Sequence, residues 1–223
     1  MNKYNVVEKF ASINGEGKKS GQLAVFIRLA GCNLRCSYCD TMWANTDDVE
    51  YEVMTSEEIY NYIKDTGINN VTLTGGEPLM QDNIKEFLLF LSKDKNLDVE
   101  IETNGSVDIR DFLDILQNPP RFTMDYKLPG SNMETNMYLE NLNNLRIIDT
   151  VKFVASSLDD LYKAKEIITK YDLASKCSVY ISPVFGSINP EDIVEFMKDN
   201  KMNNINLQIQ LHKILWDPQK KGV

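Results

Sequence analysis

The chain of 223 residues carries one histidine, His212, and only four cysteines, three of them within eight positions. Soft metal ligands are thus scarce outside that one stretch. A zinc ribbon supplies its ligands as two nearby pairs, and the second pair is missing. Long apolar runs are also absent: nothing approaches the ~20 residues that a membrane-spanning helix needs. The first ten residues, "MNKYNVVEKF", lack the apolar core of a signal peptide. A reducing cytoplasm is therefore the expected compartment, where clustered thiols bind metal or do redox chemistry more readily than they form disulfides. Basic residues are the minority, with 24 Lys and Arg against 33 Asp and Glu and a net charge of −9. No basic stripe occurs beyond the terminal "QKKGV", so neither nucleic acid nor a membrane is an expected partner.

What remains suits one large core, at 43% hydrophobic residues. Short β-branched runs predict strands at 24–29, 70–74, 99–103, 122–126, 151–155, 178–184 and 205–211. Amphipathic segments lie between them. "TSEEIYNYIKDTG" opens with Thr55 and Glu58 at capping-box spacing and closes on Gly67. "DNIKEFLLFLSK" sets Ile84, Phe87, Leu88 and Leu91 on one face. Ser157 and Asp160 predict a second capping box, and Pro190 a first helical position. Regular β–α alternation implies parallel strands with right-handed crossovers. About six such units fall short of the eight of a full barrel. The expected fold is a partial, open (β/α) barrel of about six parallel strands, a single domain over 1–223. In such folds the chemistry gathers on loops after the carboxyl ends of strands.

The loop "RLAGCNLRCSYCDT" follows the strand at 24–29 and holds Cys32, Cys36 and Cys39. Three readings of it compete: a disulfide framework, structural zinc completed by Cys177 or His212, and a metal cluster one ligand short. The C-x3-C-x2-C spacing suits three thiolates on three irons of a cubane, with the fourth iron open to an outside ligand. Cys177, at the start of a predicted strand, reads as a small core hydrophobe. "TGGEP" (74–78) also follows a strand; Gly75 and Gly76 permit close backbone approach, and Glu77 offers an acceptor for an ammonium group.

"CNLRCSYC" and "TGGEP" together resemble the two leading motifs of the radical S-adenosylmethionine (SAM) enzymes. With "INGEG", "YCDT", "ETNGS", "MDYK", "VKFV" and "QLHK", the chain from about residue 8 onward is similar to the 7-carboxy-7-deazaguanine synthase family. That resemblance implies a radical SAM partial barrel, acting as a homodimer with a [4Fe-4S] cluster, S-adenosyl-L-methionine and Mg²⁺. The family turns 6-carboxy-5,6,7,8-tetrahydropterin into 7-carboxy-7-deazaguanine with loss of ammonia, in queuosine and deazapurine biosynthesis. It draws single electrons from an external reductant such as flavodoxin or ferredoxin. The electron cleaves the sulfonium of the cofactor, and the resulting carbon radical takes the C6 hydrogen of the substrate before the ring contracts.

The resemblance also assigns roles by position. Cys32, Cys36 and Cys39 become cluster ligands. Tyr38, Cys39, Asp40, Gly76, Glu77 and Asp125–Tyr126–Lys127 face the cofactor, as does the stretch Ser182, Pro183, Val184 and Phe185. Ile13, Asn14, Gly15, Arg28, Thr74 and the terminal carboxylate of Val223 face the substrate. Asn14 stands where the family usually carries Gln, a shorter reach for the same amide. Glu16, Arg28 and His212 are expected to act in catalysis. Thr41 becomes the Mg²⁺ ligand, a position where threonine otherwise serves as a turn or cap residue. Two rivals stand beside this reading: a glycyl-radical activating enzyme acting on a partner protein, and a non-enzymatic metal-binding module.

Protein prepared without oxygen should carry about four irons and four sulfides per chain. Alanine at Cys32, Cys36 or Cys39 should remove them, and alanine at Cys177 should not. Iron and sulfide analysis checks this, and stoichiometric zinc without iron would refute it.

Overall fold

Strong local signals start the helices. Thr55 Oγ1 accepts from the Glu58 amide at 3.2 Å while Glu58 Oε2 accepts from the Thr55 amide at 2.8 Å, a complete capping box. The computed structural model describes residues 2–223. In chain order these form β1 (Lys3–Ile13), β2 (Leu23–Leu29), β3 (Glu52–Thr55), α1 (Ser56–Asp65), β4 (Asn70–Gly75), α2 (Ile84–Leu91), β5 (Asp98–Thr103) and β6 (Arg121–Tyr126). After them come α3 (Asn141–Asn144), β7 (Thr150–Ala155), α4 (Leu158–Lys170), α5 (Leu173–Lys176), β8 (Ser178–Pro183), α6 (Pro190–Asp199), β9 (Ile205–Leu207) and α7 (His212–Leu215). No helix among the described residues is long and apolar enough to cross a membrane.

All strands join one sheet in the order β3-β1-β2-β4-β5-β6-β7-β8-β9. From β2 through β4 to β9 every neighbouring pair is parallel, while β1 pairs antiparallel with both β2 and β3. Seven parallel strands joined by crossovers thus stand at the seven predicted runs, in keeping with the partial barrel of about six units, and the sheet does not close on itself. Two local expectations need correction, and one feature, the antiparallel edge of β1 with β3, was not foreseen. The strand expected over 205–211 ends at Leu207. The second capping box is only half made: Ser157 accepts from the Asp160 amide, but the Asp160 carboxylate turns to Ser156 and Gly130.

The parallel strands alternate by face. Val25, Ile27, Leu29, Val71, Leu73, Val99, Ile101, Phe122, Met124, Val151, Phe153, Val179 and Ile181 join the buried apolar core. That core also takes Ile59 and Ile63 of α1, the four predicted residues of α2, and Leu161 and Ala164 of α4. The alternate rows are polar. Register sets Arg28 beside Thr74, Glu102 beside Thr123, and Asp125 beside Lys152, which in turn neighbours Tyr180. A sheet buried on both faces reads as a continuous apolar run. These strands instead keep one face for chemistry.

The two ends of the sheet also differ. Cys177 precedes β8 and so lies at the amino ends of the strands, whereas the loop of Cys32, Cys36 and Cys39 follows β2 at their carboxyl ends. The Cys177 side chain packs in the core with Sγ toward the Leu173 carbonyl at 3.6 Å, and burial pushes its thiol up to about 11. It is the small hydrophobe the sequence suggested, remote from the three-cysteine loop.

Candidate active site at the carboxyl ends of the strands

The cysteine loop sits directly on "TGGEP". Gly75, with φ of 145°, leaves no room for a side chain, since an added Cβ would lie 2.1 Å from the Leu29 carbonyl oxygen. A Cβ on Gly76 would lie 1.9 Å from the Gly31 oxygen. The Glu77 amide donates to the same Gly31 oxygen at 2.9 Å. The first role assigned to Glu77 is corrected here. Its carboxylate is fully buried and accepts from Leu79 N (3.0 Å), Asn104 N (2.6 Å) and Thr103 Oγ1 (2.9 Å), so it ties the loops after β4 and β5 together and shows no oxygen to a ligand. Burial raises its pKa, opposed by those hydrogen bonds.

A second brace comes from the other side. Asp160 accepts from Gly130 N (2.8 Å), Ser156 N (2.8 Å) and Ser156 Oγ (2.7 Å). The Gly130 and Ser131 carbonyls then take Ser37 Oγ (2.6 Å) and Ser37 N (3.1 Å), between Cys36 and Cys39. Tyr38 donates its hydroxyl to the Val154 carbonyl at 3.0 Å; burial, then Asp125, holds that hydroxyl protonated. Cys32 Sγ receives the Leu34 amide at 3.4 Å and Asn104 Nδ2 at 3.6 Å. Such N–H···S contacts tune the potential of a bound iron–sulfur cluster. Burial raises the Cys36 thiol pKa, opposed by Lys127 nearby.

Thr41 opens a short helical turn with its carbonyl, but its hydroxyl caps nothing and lies 3.7 Å from Cys39 Sγ. Asp40 faces Lys213 at 3.2 Å, which outweighs partial desolvation and holds the carboxyl below the usual range. Asp125 and Lys127 pair at 2.9 Å on the polar side. The Tyr126 ring packs on Phe153 at 5.3 Å and its hydroxyl donates to Glu134, on the helix side, so this residue reaches the site through its backbone alone. Ser182 is fully buried, Pro183 ends β8, and the Val184 amide donates to the Ala155 carbonyl at 2.7 Å. Phe185 is exposed beneath the Lys213 ammonium, 5.6 Å from its ring centre.

The "INGEG" loop reaches the same face from the amino ends. Ile13 closes β1 opposite Leu23, and the loop then folds over Thr72, Glu100 and Thr123. Asn14 Oδ1 accepts from Thr72 at 2.9 Å. Glu16 Oε2 accepts from Lys152 Nζ at 3.0 Å. Gly15 lies against His212, whose ring a Cβ there would meet at 2.5 Å. Burial lowers the His212 pKa, against the pull of Glu16 and Asp40. Arg28 gives Nε to Glu8 Oε1 at 2.7 Å, and its two terminal nitrogens bond to no side chain or carbonyl among the described residues. Thr74 donates to Glu102 at 2.7 Å. The segment after β9 crosses the open side of the barrel: Gln208 Oε1 accepts from Gly17 N at 2.7 Å, and Leu211 N donates to the Gly15 carbonyl at 3.2 Å. Beyond it Lys221 stacks over Trp43 at 3.7 Å, bringing Val223 back toward the cysteine loop.

Four buried polar atoms on this face have no partner in the protein: Asn14 Nδ2, Glu16 Oε1, Asp125 Oδ1 and Ser182 Oγ. Buried polar groups are normally hydrogen-bonded, so these four fit a polar ligand seated between the cysteine loop and "INGEG". The sequence reading missed Glu8, Glu102, Asn104 and Lys152, and it gave Asp160 only a capping role. Three of these stand inside motifs it quoted: Glu102 and Asn104 in "ETNGS", Lys152 in "VKFV".

An open parallel barrel with three cysteines on the loop after its first parallel strand, docked on a double glycine, defines a radical SAM enzyme. The sequence profile of the Radical SAM superfamily matches residues 26–200. The chain is 63% identical to the 7-carboxy-7-deazaguanine synthase of Clostridium acetobutylicum over 220 residues, 99% of each chain. It is 33% identical to that of Leptospira interrogans, over 98% of each. The crystal structure of QueE from Escherichia coli shares the fold, with a TM-score of 0.73 at 21% identity over 93% of this chain and 94% of that one. The chain therefore belongs to the 7-carboxy-7-deazaguanine synthase family of the radical SAM superfamily. Membership implies a [4Fe-4S] cluster and SAM.

Gly76→Ala should drive a methyl into the Gly31 carbonyl and Asn45, destabilising the fold by ~1–3 kcal/mol as overpacking does. The same displacement should lower iron retention, read by thermal melting beside iron analysis. An alanine variant that melts and loads iron like the parent would show the contact to be slack.

Proposed function

We propose that this protein converts 6-carboxy-5,6,7,8-tetrahydropterin to 7-carboxy-7-deazaguanine with release of ammonia. One observation carries the choice of a small substrate over a partner protein. The segment from Gln208 to Lys213 bonds to Gly15, Gly17 and Asp40 across the open side of the barrel. A glycyl-radical activase must admit a loop of another protein to its cluster, and this strap narrows that route. The polar face behind it suits a small heterocycle rich in N–H donors.

The residues fit the cofactors on chemical grounds. Cys32, Cys36 and Cys39 would hold the cluster, with the Gly75–Gly76 backbone, Asp125, Lys127 and Ser182 around SAM. Thr41, its hydroxyl uncommitted to a cap, would give Mg²⁺ one hard oxygen, the remainder coming from substrate and water. Together the cluster and SAM supply hydrogen-atom abstraction, which no side chain can perform. Glu16 Oε1 would accept from the amine-rich edge of the pterin. Glu8 fixes Arg28 through Nε and leaves its terminal nitrogens free, where they would pair with the substrate carboxylate. His212, whose pKa burial lowers, would have one ring nitrogen to donate and one to accept toward a substrate against the Gly15 loop. The strap and the terminal carboxylate of Val223 would exclude water. Family resemblance supports the wider setting: a homodimer in the cytoplasm, reduced by flavodoxin or ferredoxin, serving queuosine or another deazapurine.

Anaerobic incubation with the pterin, cofactor and reductant should yield product by mass; a parent that ignores the pterin and radicalises a partner protein would overturn the reading. Thr41→Ala should weaken the response to Mg²⁺ while iron content stays, because a hard cation with one protein ligand depends on it. Full Mg²⁺ dependence in that variant would refute the assignment.

Arg28→Ala should cost ~2–5 kcal/mol of transition-state binding, the penalty for leaving a buried charge unpaired. An analogue without the carboxylate should then lose much of its rate in the parent and little in the variant. Equal discrimination by both proteins would remove Arg28 from that role.

A further inference from the structure

Lys152 sits on β7 where two parts of the site meet. Its Nζ lies 3.0 Å from Glu16 Oε2 and 3.8 Å from Asp125 Oδ2, with its side chain only 11% exposed. Glu16 belongs to the "INGEG" loop and Asp125 to the strand end that faces the cofactor. The two carboxylates share one pattern. Each turns one oxygen to a cation, and each keeps its second oxygen, Glu16 Oε1 and Asp125 Oδ1, buried without a protein partner. Lys127 also reaches Asp125 Oδ2, at 2.9 Å, and Gln210 reaches Glu16 Oε2 at 3.4 Å. Burial alone would drive Lys152 toward its neutral form, but Glu16 first and Asp125 next hold the ammonium charged. A lysine that only covered apolar surface would carry its head out to water. This one is enclosed.

We infer that Lys152 is the shared counter-ion of the substrate and cofactor subsites, a positioning residue that orients Glu16 and Asp125 so that each presents its free oxygen to a ligand donor. The substrate half of the inference rests on the function proposed above; the cofactor half rests on superfamily membership and on the cofactor-facing position that the family resemblance gives Asp125. Without the ammonium, two carboxylates in one poorly solvated space would repel and favour protonation, losing acceptor strength. Lys152 would thereby act on both ligands without touching the reacting atoms.

The experiment is a pair of anaerobic titrations of cluster-loaded protein, one with SAM and one with 6-carboxytetrahydropterin. The proteins are the parent, Lys152→Met, Lys152→Arg, Glu16→Gln and the double variant Glu16→Gln with Lys152→Met. Lys152→Met should weaken each ligand at least about tenfold, since removing one partner strands a buried charge. Lys152→Arg, which keeps the charge, should recover most of both losses. In the Glu16→Gln background Lys152→Met should weaken the pterin no further while still weakening SAM, the non-additivity of a shared contact. Should Lys152→Met fail to fold, Lys152→Gln carries the same comparison. Parent-like affinity for either ligand in the uncharged variant overturns the shared role. So do arginine that rescues nothing, or losses that simply add in the double variant. A parent that binds SAM but not the pterin overturns the substrate reading and with it the substrate half here; the SAM titration then decides the cofactor half.

Discussion

A Cβ on Gly76 would sit 1.9 Å from the Gly31 oxygen, closer than any side chain permits, and the site is organised around that contact. It lets the backbone leaving β4 lie on the base of the cysteine loop leaving β2. Glu77 then locks the arrangement from below, its carboxylate filled by donors from Leu79, Thr103 and Asn104. A buried carboxylate is costly unless fully hydrogen-bonded, and this one has a donor on each oxygen. Asp160 does the same from the β6–β7 side through Gly130 and Ser37. Two buried acids, neither facing a ligand, hold the loop of three thiols between them.

The inner face shows why an acidic protein can still present an ordered polar cavity. Lys127, Asp125, Lys152 and Glu16 run in alternating sign across it, each cation paired within 3.0 Å of a carboxylate. Charges fixed in this way need no reorganisation when a ligand arrives, which is where enclosed sites gain over water. The helix-facing side is mainly apolar, so most of the sheet's stabilising burial and the chemistry of the site occupy opposite faces of the same strands.

Much of this was legible in the sequence because the informative signals are local. The parallel strands, the α1 capping box and the α2 face each follow from a few neighbouring residues. The cysteine loop and double glycine were legible because their spacing is tied to chemistry. The antiparallel edge was not: "NVVEKFASI" in β1 mixes polar and apolar residues, and its partners Leu23–Leu29 and Glu52–Thr55 are found only through long-range pairing. Glu77 was misassigned since a carboxylate beside a glycine turn looks free until its three donors, two of them more than twenty residues away, are in place. The Tyr126 ring was not placed, because the period of two sends it to the face opposite Asp125. Lys152 was quoted only within "VKFV", and its role depends on Glu16 and Asp125, neither of which is its neighbour in sequence.

The strap across the barrel mouth is built of loop hydrogen bonds and one ion pair, with no strand ladder. Local opening of such a segment draws on only a fraction of the free energy that holds the sheet, and it unpairs no β-strand. Its one ion pair, Lys213 with Asp40, joins it to the thiol loop, which Glu77 and Asp160 brace independently from the other side. Opening of the strap and bracing of the thiol loop thus draw on different hydrogen bonds, the first only partly buried at the barrel mouth and those of Glu77 in the second fully buried within the fold.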